Sequence, residues 1–143
     1  MSIRIVVGTA KGAFVLTSDA ERAAWQIEGP SFKGWKVTAT HRTGDGTFLA
    51  ATASDIYGPA LHRSRDLRTW EQLEQGPSYG ENSDRKLNQI WTLTSGHGVL
   101  YAGVDEAGLF ASRDGGETWQ AVEGLNDHAT RSGWFPGAGG LCA

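Results

Sequence analysis

Short runs of apolar and polar residues in alternation predict β-strands along the whole chain. These runs are rich in β-branched and aromatic residues, and they are bounded by Gly, Asp and Ser, which are typical of turns. No apolar repeat of helical period continues for three turns, so we expect no helix. The pattern therefore predicts an all-β fold.

The predicted strands recur in the same order three times. We label the strands of each copy A, B, C and D, from the innermost strand to the outermost. The first copy has no A strand. The predicted ranges are 3–8, 47–53 and 99–104 for B; 12–17, 60–64 and 108–112 for C; 25–28, 70–74 and 119–123 for D; 35–41 and 89–94 for A.

A repeated motif lies between the C and D strands. Residues 112–119 read Ser-Arg-Asp-Gly-Gly-Glu-Thr-Trp, and residues 64–70 repeat this pattern with one residue fewer. Residues 17–25 carry a more diverged copy, Thr-Ser-Asp with a later Trp. The three tryptophans follow one another at 45 and 49 residues. A repeat of that length, made of short strands, is typical of β-propeller blades.

Turn chemistry gives the motif, an Asp-box, a structural role. Asp accepts hydrogen bonds from backbone N–H groups, Gly permits positive φ, and Trp buries a large ring between sheets. The residues to which we assign this structural role are Ser64, Asp66, Thr69, Trp70, Ser112, Asp114, Gly116, Thr118 and Trp119.

Composition and charge limit the classes of partner that we expect the chain to bind. The chain has 143 residues and a net charge of −3, which gives no electrostatic reason to bind nucleic acid or an anionic membrane. The single cysteine, Cys142, cannot form an internal disulfide, and no signal peptide or apolar membrane segment is evident. For these reasons we expect a cytoplasmic location. Because the four histidines show no metal-binding spacing, we expect no metal, and we expect no cofactor.

One partial β-propeller domain is expected over residues 1–143. Its blades cover approximately residues 1–34, 35–88 and 89–133, and residues 134–143 start a further A strand. Three blades do not close a ring, because propellers typically carry ~4–8. We therefore expect a homo-oligomer, with a six-blade dimer favoured, in which residues 141–143 of one copy lie beside the first B strand of the next.

Several segments resemble the BNR/Asp-box repeat proteins, the sialidase-like and sortilin-like β-propellers often labelled glycosyl hydrolases. They are residues 3–14 (IRIVVGTAKGAF), 101–104 (YAGV), 109–110 with the motif that follows, and 136–140 (PGAGG). The resemblance implies the first three blades of such a propeller. It implies little about activity, because Asp-boxes occur on enzymes, receptors and assembly factors alike.

Ligand sites of propellers usually open on the face opposite the Asp-boxes, where loops over a rigid scaffold carry polar and aromatic residues. The candidate ligand-binding residues there are Asp55, Tyr57, Arg85, Asp105, Glu106, His128, Arg131 and Trp134. Trp35 and Trp134 occupy corresponding connections. When exposed they would stack on sugar rings, and when buried they would plug the gap between blades.

Three functional hypotheses follow. The favoured one is a non-catalytic module that binds a glycan, peptide or protein partner. The second is a sialidase-like glycoside hydrolase, for which Asp105, Glu106 and Tyr57 are the catalytic candidates. The Phe/Tyr-Arg-Ile-Pro motif of true sialidases is absent, since residues 3–6 read Ile-Arg-Ile-Val, so we expect no sialidase activity. The third is a self-assembling structural fragment without a ligand.

Overall fold

A computed structural model describes residues 2–135. Within this range eleven strands form three antiparallel sheets, which confirms the all-β prediction. Sheet 1 contains β1 (Ile3–Thr9), β2 (Gly12–Ser18) and β3 (Gln26–Ser31); sheet 2 contains β4 (Lys36–Arg42), β5 (Phe48–Ser54), β6 (Gly58–Ser64) and β7 (Glu71–Gln72); sheet 3 contains β8 (Gln89–Gly96), β9 (Val99–Asp105), β10 (Gly108–Ser112) and β11 (Gln120–Ala121).

In each sheet the strands follow one another in chain order, as short turns between antiparallel neighbours require. Strand β4 lies at one edge of sheet 2, and strand β8 lies at the corresponding edge of sheet 3. Sheet 1 has no equivalent strand among the described residues, so β1 lies at its edge. The predicted order of strands and the three-strand first copy are both confirmed.

The three sheets pack in series, with β1 against β4 and β4 against β8. Between sheets 2 and 3 lies the larger apolar cluster, which includes Leu49, Leu61 and Phe110, each about 1% exposed. Between sheets 1 and 2 a smaller cluster is built on Ala13 and Ala50. Within residues 2–135, sheet 2 is therefore covered on both faces, whereas sheets 1 and 3 are each covered on one.

The expectation of no helix is wrong. A short helix, α1, covers Glu123–Asn126, and a 3₁₀ turn covers Arg131–Gly133. The last D strand is correspondingly shorter than predicted, because β11 ends at Ala121. The helix is stabilised by Asn126. Its buried side-chain amide accepts a hydrogen bond from the N–H of Leu109 over 2.7 Å and donates one to the Leu109 carbonyl oxygen over 2.9 Å. These bonds hold α1 against β10.

The further A strand predicted near the C-terminus, and its contact with β1 of another copy, depend on residues 136–143, which lie outside the described residues. Trp134 and Phe135 belong to no strand. No helix in residues 2–135 has the length and apolar character needed to cross a bilayer.

Candidate functional site

The turn at residues 112–119 is locked by Asp114. Its carboxylate accepts from the Ser112 hydroxyl over 2.7 Å, from the Thr118 N–H over 2.9 Å and from the Thr118 hydroxyl over 2.5 Å. These hydrogen bonds, led by that of the Thr118 side chain, lower the pKa of Asp114 to about 2. The buried Gly116 N–H donates to Ser112 Oγ over 2.8 Å. The turn is therefore held by an ionised acceptor and a buried hydroxyl.

The turn at residues 64–70 has the same lock. Asp66 Oδ1 accepts from the N–H groups of Thr69 over 2.7 Å and Arg68 over 2.8 Å, and these bonds lower the pKa of Asp66 to about 2. Ser64 Oγ accepts from the Leu67 N–H over 2.9 Å. Leu67 has a φ of 67°, in the left-handed region that Gly115 and Gly116 adopt in the longer turn.

The missing residue in the shorter turn has a consequence for its tryptophan. In turn 112–119 the indole N–H of Trp119 donates to the Gly116 carbonyl oxygen over 3.0 Å. The indole N–H of Trp70 is buried and has no hydrogen-bond partner among the described residues. The shorter turn thus keeps the aromatic packing of the motif but not the bond that fixes the ring.

The diverged copy in sheet 1 forms a simpler turn. Asp19 Oδ1 accepts from the N–H groups of Glu21 over 3.1 Å and Arg22 over 3.0 Å. Ser18 Oγ donates to the Ala24 carbonyl oxygen over 2.5 Å. Only the Asp part of the lock is retained, since Trp25 is separated from Asp19 by a longer loop.

Arginines link two of these turns, at residues 64–70 and 112–119, to a neighbouring sheet. Arg63 donates to Glu71 over 2.8 Å in its own sheet and to Glu117 in turn 112–119. Arg68, in turn 64–70, donates to Glu28 of sheet 1 over 2.9 Å. Hydrogen bonds from Arg63, chiefly to Glu71, raise the pKa of its guanidinium. The motif end of the sheets is therefore cross-linked by ion pairs.

A cleft of about 1100 Å³ opens at this motif end, between sheets 2 and 3. The turns that line it include Asp45, Asp66, His97 and Asp114. Each of the three carboxylates already accepts hydrogen bonds from its own turn. The cleft is thus walled by groups engaged in structure, and it lies on the face where the sequence led us to expect no ligand.

At the opposite end, the β5–β6 turn carries two of the eight candidate ligand-binding residues. The Tyr57 ring stacks on that of Trp35 at 5.8 Å between centroids and 15° between planes. The Asp55 carboxylate lies 3.5 Å from Lys36 Nζ. Tyr57 is 76% exposed and its neighbour Ile56 83%. We call Trp35, Ile56 and Tyr57 the aromatic platform.

A second group surrounds the partly buried Tyr79. Its hydroxyl donates to the Glu106 carbonyl oxygen over 2.5 Å, and the Arg85 guanidinium lies 5.7 Å from its ring centroid. Arg85 also donates to Asp127 over 2.9 Å. Burial raises the pKa of Tyr79. Tyr79 and Asp127 were not identified from the sequence, because neither belongs to a recognisable motif.

The other candidates lie beside this group. Arg131 donates to the Ala107 carbonyl oxygen and stacks over the Trp134 ring at 5.5 Å. The indole N–H of Trp134 donates to Thr130 Oγ1, which also contacts His128 Nδ1 over 2.8 Å. Trp134 is therefore neither a free stacking platform nor a fully buried plug.

The candidate ligand-binding residues thus divide between two places. Arg85, Glu106 and Arg131 converge near Tyr79, whereas Asp55 and Tyr57 contact Lys36 and Trp35. Asp105 takes part through its backbone, since its carbonyl oxygen accepts from the Asn88 N–H over 2.6 Å. Among the described residues, no side-chain hydrogen bond or ion pair joins Tyr57 to a carboxylate.

Comparison with models of known protein families and with curated protein sequences finds no match. Within residues 2–135 no group of three His, Cys, Asp or Glu side chains is arranged to hold a metal ion. The fold and the site define an all-β protein of three serially packed antiparallel sheets, with locked turns at one end and an exposed aromatic platform at the other.

Proposed function

We propose that this chain is a non-catalytic Asp-box β-propeller module, related to the BNR repeat proteins, that binds a glycan, peptide or protein partner. Binding occurs on the face opposite the Asp-boxes. The propeller assignment is supported by three antiparallel meander sheets stacked in series, and by two turns that share the Ser–Asp hydrogen bond and are each followed by Thr and Trp.

The observation that carries the binding proposal is the aromatic platform. Tyr57 presents most of its surface to solvent while its ring is already stacked against Trp35. A ring held in place offers contact area to a sugar ring or an apolar side chain at a low cost in side-chain entropy. Ile56, on the same turn, extends the apolar surface. The ion pair of Lys36 and Asp55 supplies a polar rim.

The absence of catalysis is supported by how the catalytic candidates are engaged. A sialidase-type site needs arginines available to a substrate carboxylate and a tyrosine nucleophile beside an acid. Here Arg85 is paired with Asp127, and Arg131 donates to the Ala107 carbonyl oxygen. Tyr57 is stacked on an aromatic ring. The tyrosine beside Glu106, Tyr79, donates its hydroxyl to the Glu106 backbone carbonyl oxygen, and burial raises its pKa, which disfavours the phenolate that a nucleophile needs.

Arrays of glycans and of peptides, probed with the labelled chain, test the proposal. We expect wild type to bind a defined set of spots and Tyr57→Ala to lose at least about tenfold in affinity, because central aromatic contacts dominate small interfaces. Tyr57→Phe should bind nearly as well as wild type. Arg113→Ala, an exposed change at the motif end, should leave binding intact.

The contradicting results are equally specific. If no spot on either array binds above background, or if Tyr57→Ala binds as well as wild type, the platform is not a binding site. Turnover of a fluorogenic sialoside that disappears in Asp105→Asn or Tyr57→Phe would instead support the glycoside hydrolase alternative. The wild-type chain and the same variants serve in both assays.

A further inference from the structure

Each sheet of the stack has two faces that differ in what covers them. Ser18, Ser64 and Ser112 are paired with Ile3, Phe48 and Leu100, so these three pairs occupy equivalent positions in the three sheets. We call the front of a sheet the face that carries these pairs and the alternate residues beyond them. The other face is its back.

Inside the stack a front always meets a back. Ala50 on the front of sheet 2 packs in a cluster with Ala13, which lies on the back of sheet 1. Phe110 and Ala102 on the front of sheet 3 pack in a cluster with Leu49 and Leu61 on the back of sheet 2. The same type of sheet-on-sheet contact therefore occurs twice within one chain.

The front of sheet 1 has no such cover among the described residues. Ile5 is opposite Leu16 in β2, and Leu16 is opposite Ile27 in β3, so the three side chains form an apolar row across the sheet. Ile5 is 44% exposed and Ile27 68%, whereas Ala50 and Ala102, the equivalents of Ile5, are fully buried. Exposed aliphatic rows of this kind mark interaction surfaces.

The part of the chain that the structure describes likewise leaves the back of sheet 3 without a covering sheet. Tyr101 and Leu109 are half-buried there. Their equivalents in sheet 2 are Leu49 and Leu61, and both are 1% exposed because sheet 3 covers them. Residues 2–135 of one chain thus carry an uncovered front and an uncovered back, the two kinds of surface that pair inside the stack.

We propose that the front of sheet 1 packs on the back of sheet 3 of a second copy of this chain. The occupant is a second copy because that chain presents the complementary face in the arrangement that already joins its own sheets. Two copies joined head to tail form two identical interfaces and bring six sheets into one closed stack. This proposal is independent of what the aromatic platform binds.

Light scattering coupled to size-exclusion chromatography tests it on the full chain. Wild type is expected at twice the chain mass of 15.3 kDa. Ile27→Glu should raise the dissociation constant at least about 100-fold, because it places an unpaired charge in the interface. Ile56→Glu, at the most exposed isoleucine and on neither face, is the matched control and should remain dimeric.

A mixing experiment distinguishes head-to-tail from face-to-face association. Leu109→Glu alters the back of sheet 3 and should be monomeric by itself, with an unchanged β-sheet circular dichroism spectrum. A mixture of Ile27→Glu and Leu109→Glu retains one unaltered front and one unaltered back, so heterodimers should form.

Three results would overturn the proposal. They are a wild-type monomer at all concentrations, an Ile27→Glu variant that stays dimeric, and folded variants that fail to associate when mixed. If Leu109→Glu does not fold, the mixing experiment is done with Ile27→Glu and Thr94→Glu instead. Thr94 is exposed on the same back face, so this mixture gives the same test.

Discussion

The indole N–H of Trp119 donates a hydrogen bond over 3.0 Å to the carbonyl oxygen of Gly116. In the shorter turn at residues 64–70, the buried indole N–H of Trp70 has no partner among the described residues. The two rings have the same place in the motif and differ in this bond. The loss of one residue between Asp66 and Thr69 therefore leaves the fold intact and removes a hydrogen bond.

This difference predicts unequal effects of the same substitution. Trp119→Phe loses packing area and a hydrogen bond, whereas Trp70→Phe loses similar area but also removes an unpaired buried donor. We expect Trp119→Phe to lower the free energy of unfolding by about 0.5–1.5 kcal/mol more than Trp70→Phe. Urea unfolding followed by circular dichroism measures both. Equal losses would show that the Trp119–Gly116 bond contributes nothing.

The buried hydroxyl of Ser112 supports the second prediction. It accepts from the buried N–H of Gly116 over 2.8 Å, so Ser112→Ala leaves that donor without a partner. We expect a loss of about 1–3 kcal/mol in the free energy of unfolding. Ser78→Ala removes a comparable bond to the Gly80 N–H in an exposed loop, where water replaces it, and should be nearly neutral. Similar effects of the two changes would argue against the lock.

Asn126 provides the third prediction, for the region that the sequence did not reveal. Its amide satisfies both backbone groups of Leu109, and its side chain is 1% exposed. We expect Asn126→Ala to lower the free energy of unfolding by about 1–3 kcal/mol. Asn82→Ala, at an exposed asparagine, is the matched control. A neutral Asn126→Ala variant would show that α1 is not held by these bonds.

Acid should weaken the fold through three carboxylates. Hydrogen bonds from turn residues lower the pKa values of Asp45, Asp66 and Asp114 from 3.8 to about 2. A lowered pKa in the folded state gives stability that is complete above the unfolded value of 3.8 and is lost as pH falls towards 2. The midpoint of urea unfolding should therefore drop across this interval.

Substitution at one of these carboxylates tests the assignment. Asp114→Asn cannot ionise, so its stability should be lower at neutral pH and should change less than that of wild type as the pH falls. Asp84→Asn alters an exposed carboxylate that accepts no hydrogen bond among the described residues, and it should follow the wild-type curve. Parallel curves for all three proteins would refute the contribution of Asp114.

Much of the fold could be predicted because strand alternation and turn residues are local signals. The ranges of β1, β2, β5, β6, β9 and β10 agree with prediction to within two residues. Helix α1 is not predicted from the sequence because it is only four residues long. It is held by a contact between Asn126 and Leu109, which are 17 residues apart in the chain. No helical period can develop over such a length.

The candidate site was less predictable, because side-chain contacts between loops have no signature in the sequence. Tyr57 is a candidate from the sequence because it is an aromatic residue on a turn, whereas its stacking partner Trp35 comes from the connection between β3 and β4. Arg85 and Arg131 are candidates because they are charged residues on the expected ligand face, yet in the structure they bind other loops of the chain. Residue type indicated which loops to consider but not whether a charge would be free.

The central claim is that the Asp-box end of the sheets is structural and that the opposite end, with the aromatic platform, binds the ligand. Its most direct test is calorimetry, which measures the dissociation constant of the tightest array ligand for wild type, Tyr57→Ala and Asp114→Asn. We predict that Tyr57→Ala weakens binding at least about tenfold with unchanged stability. Asp114→Asn should be less stable but bind with the wild-type constant. A folded Asp114→Asn variant that loses the ligand, while Tyr57→Ala keeps it, would contradict this division.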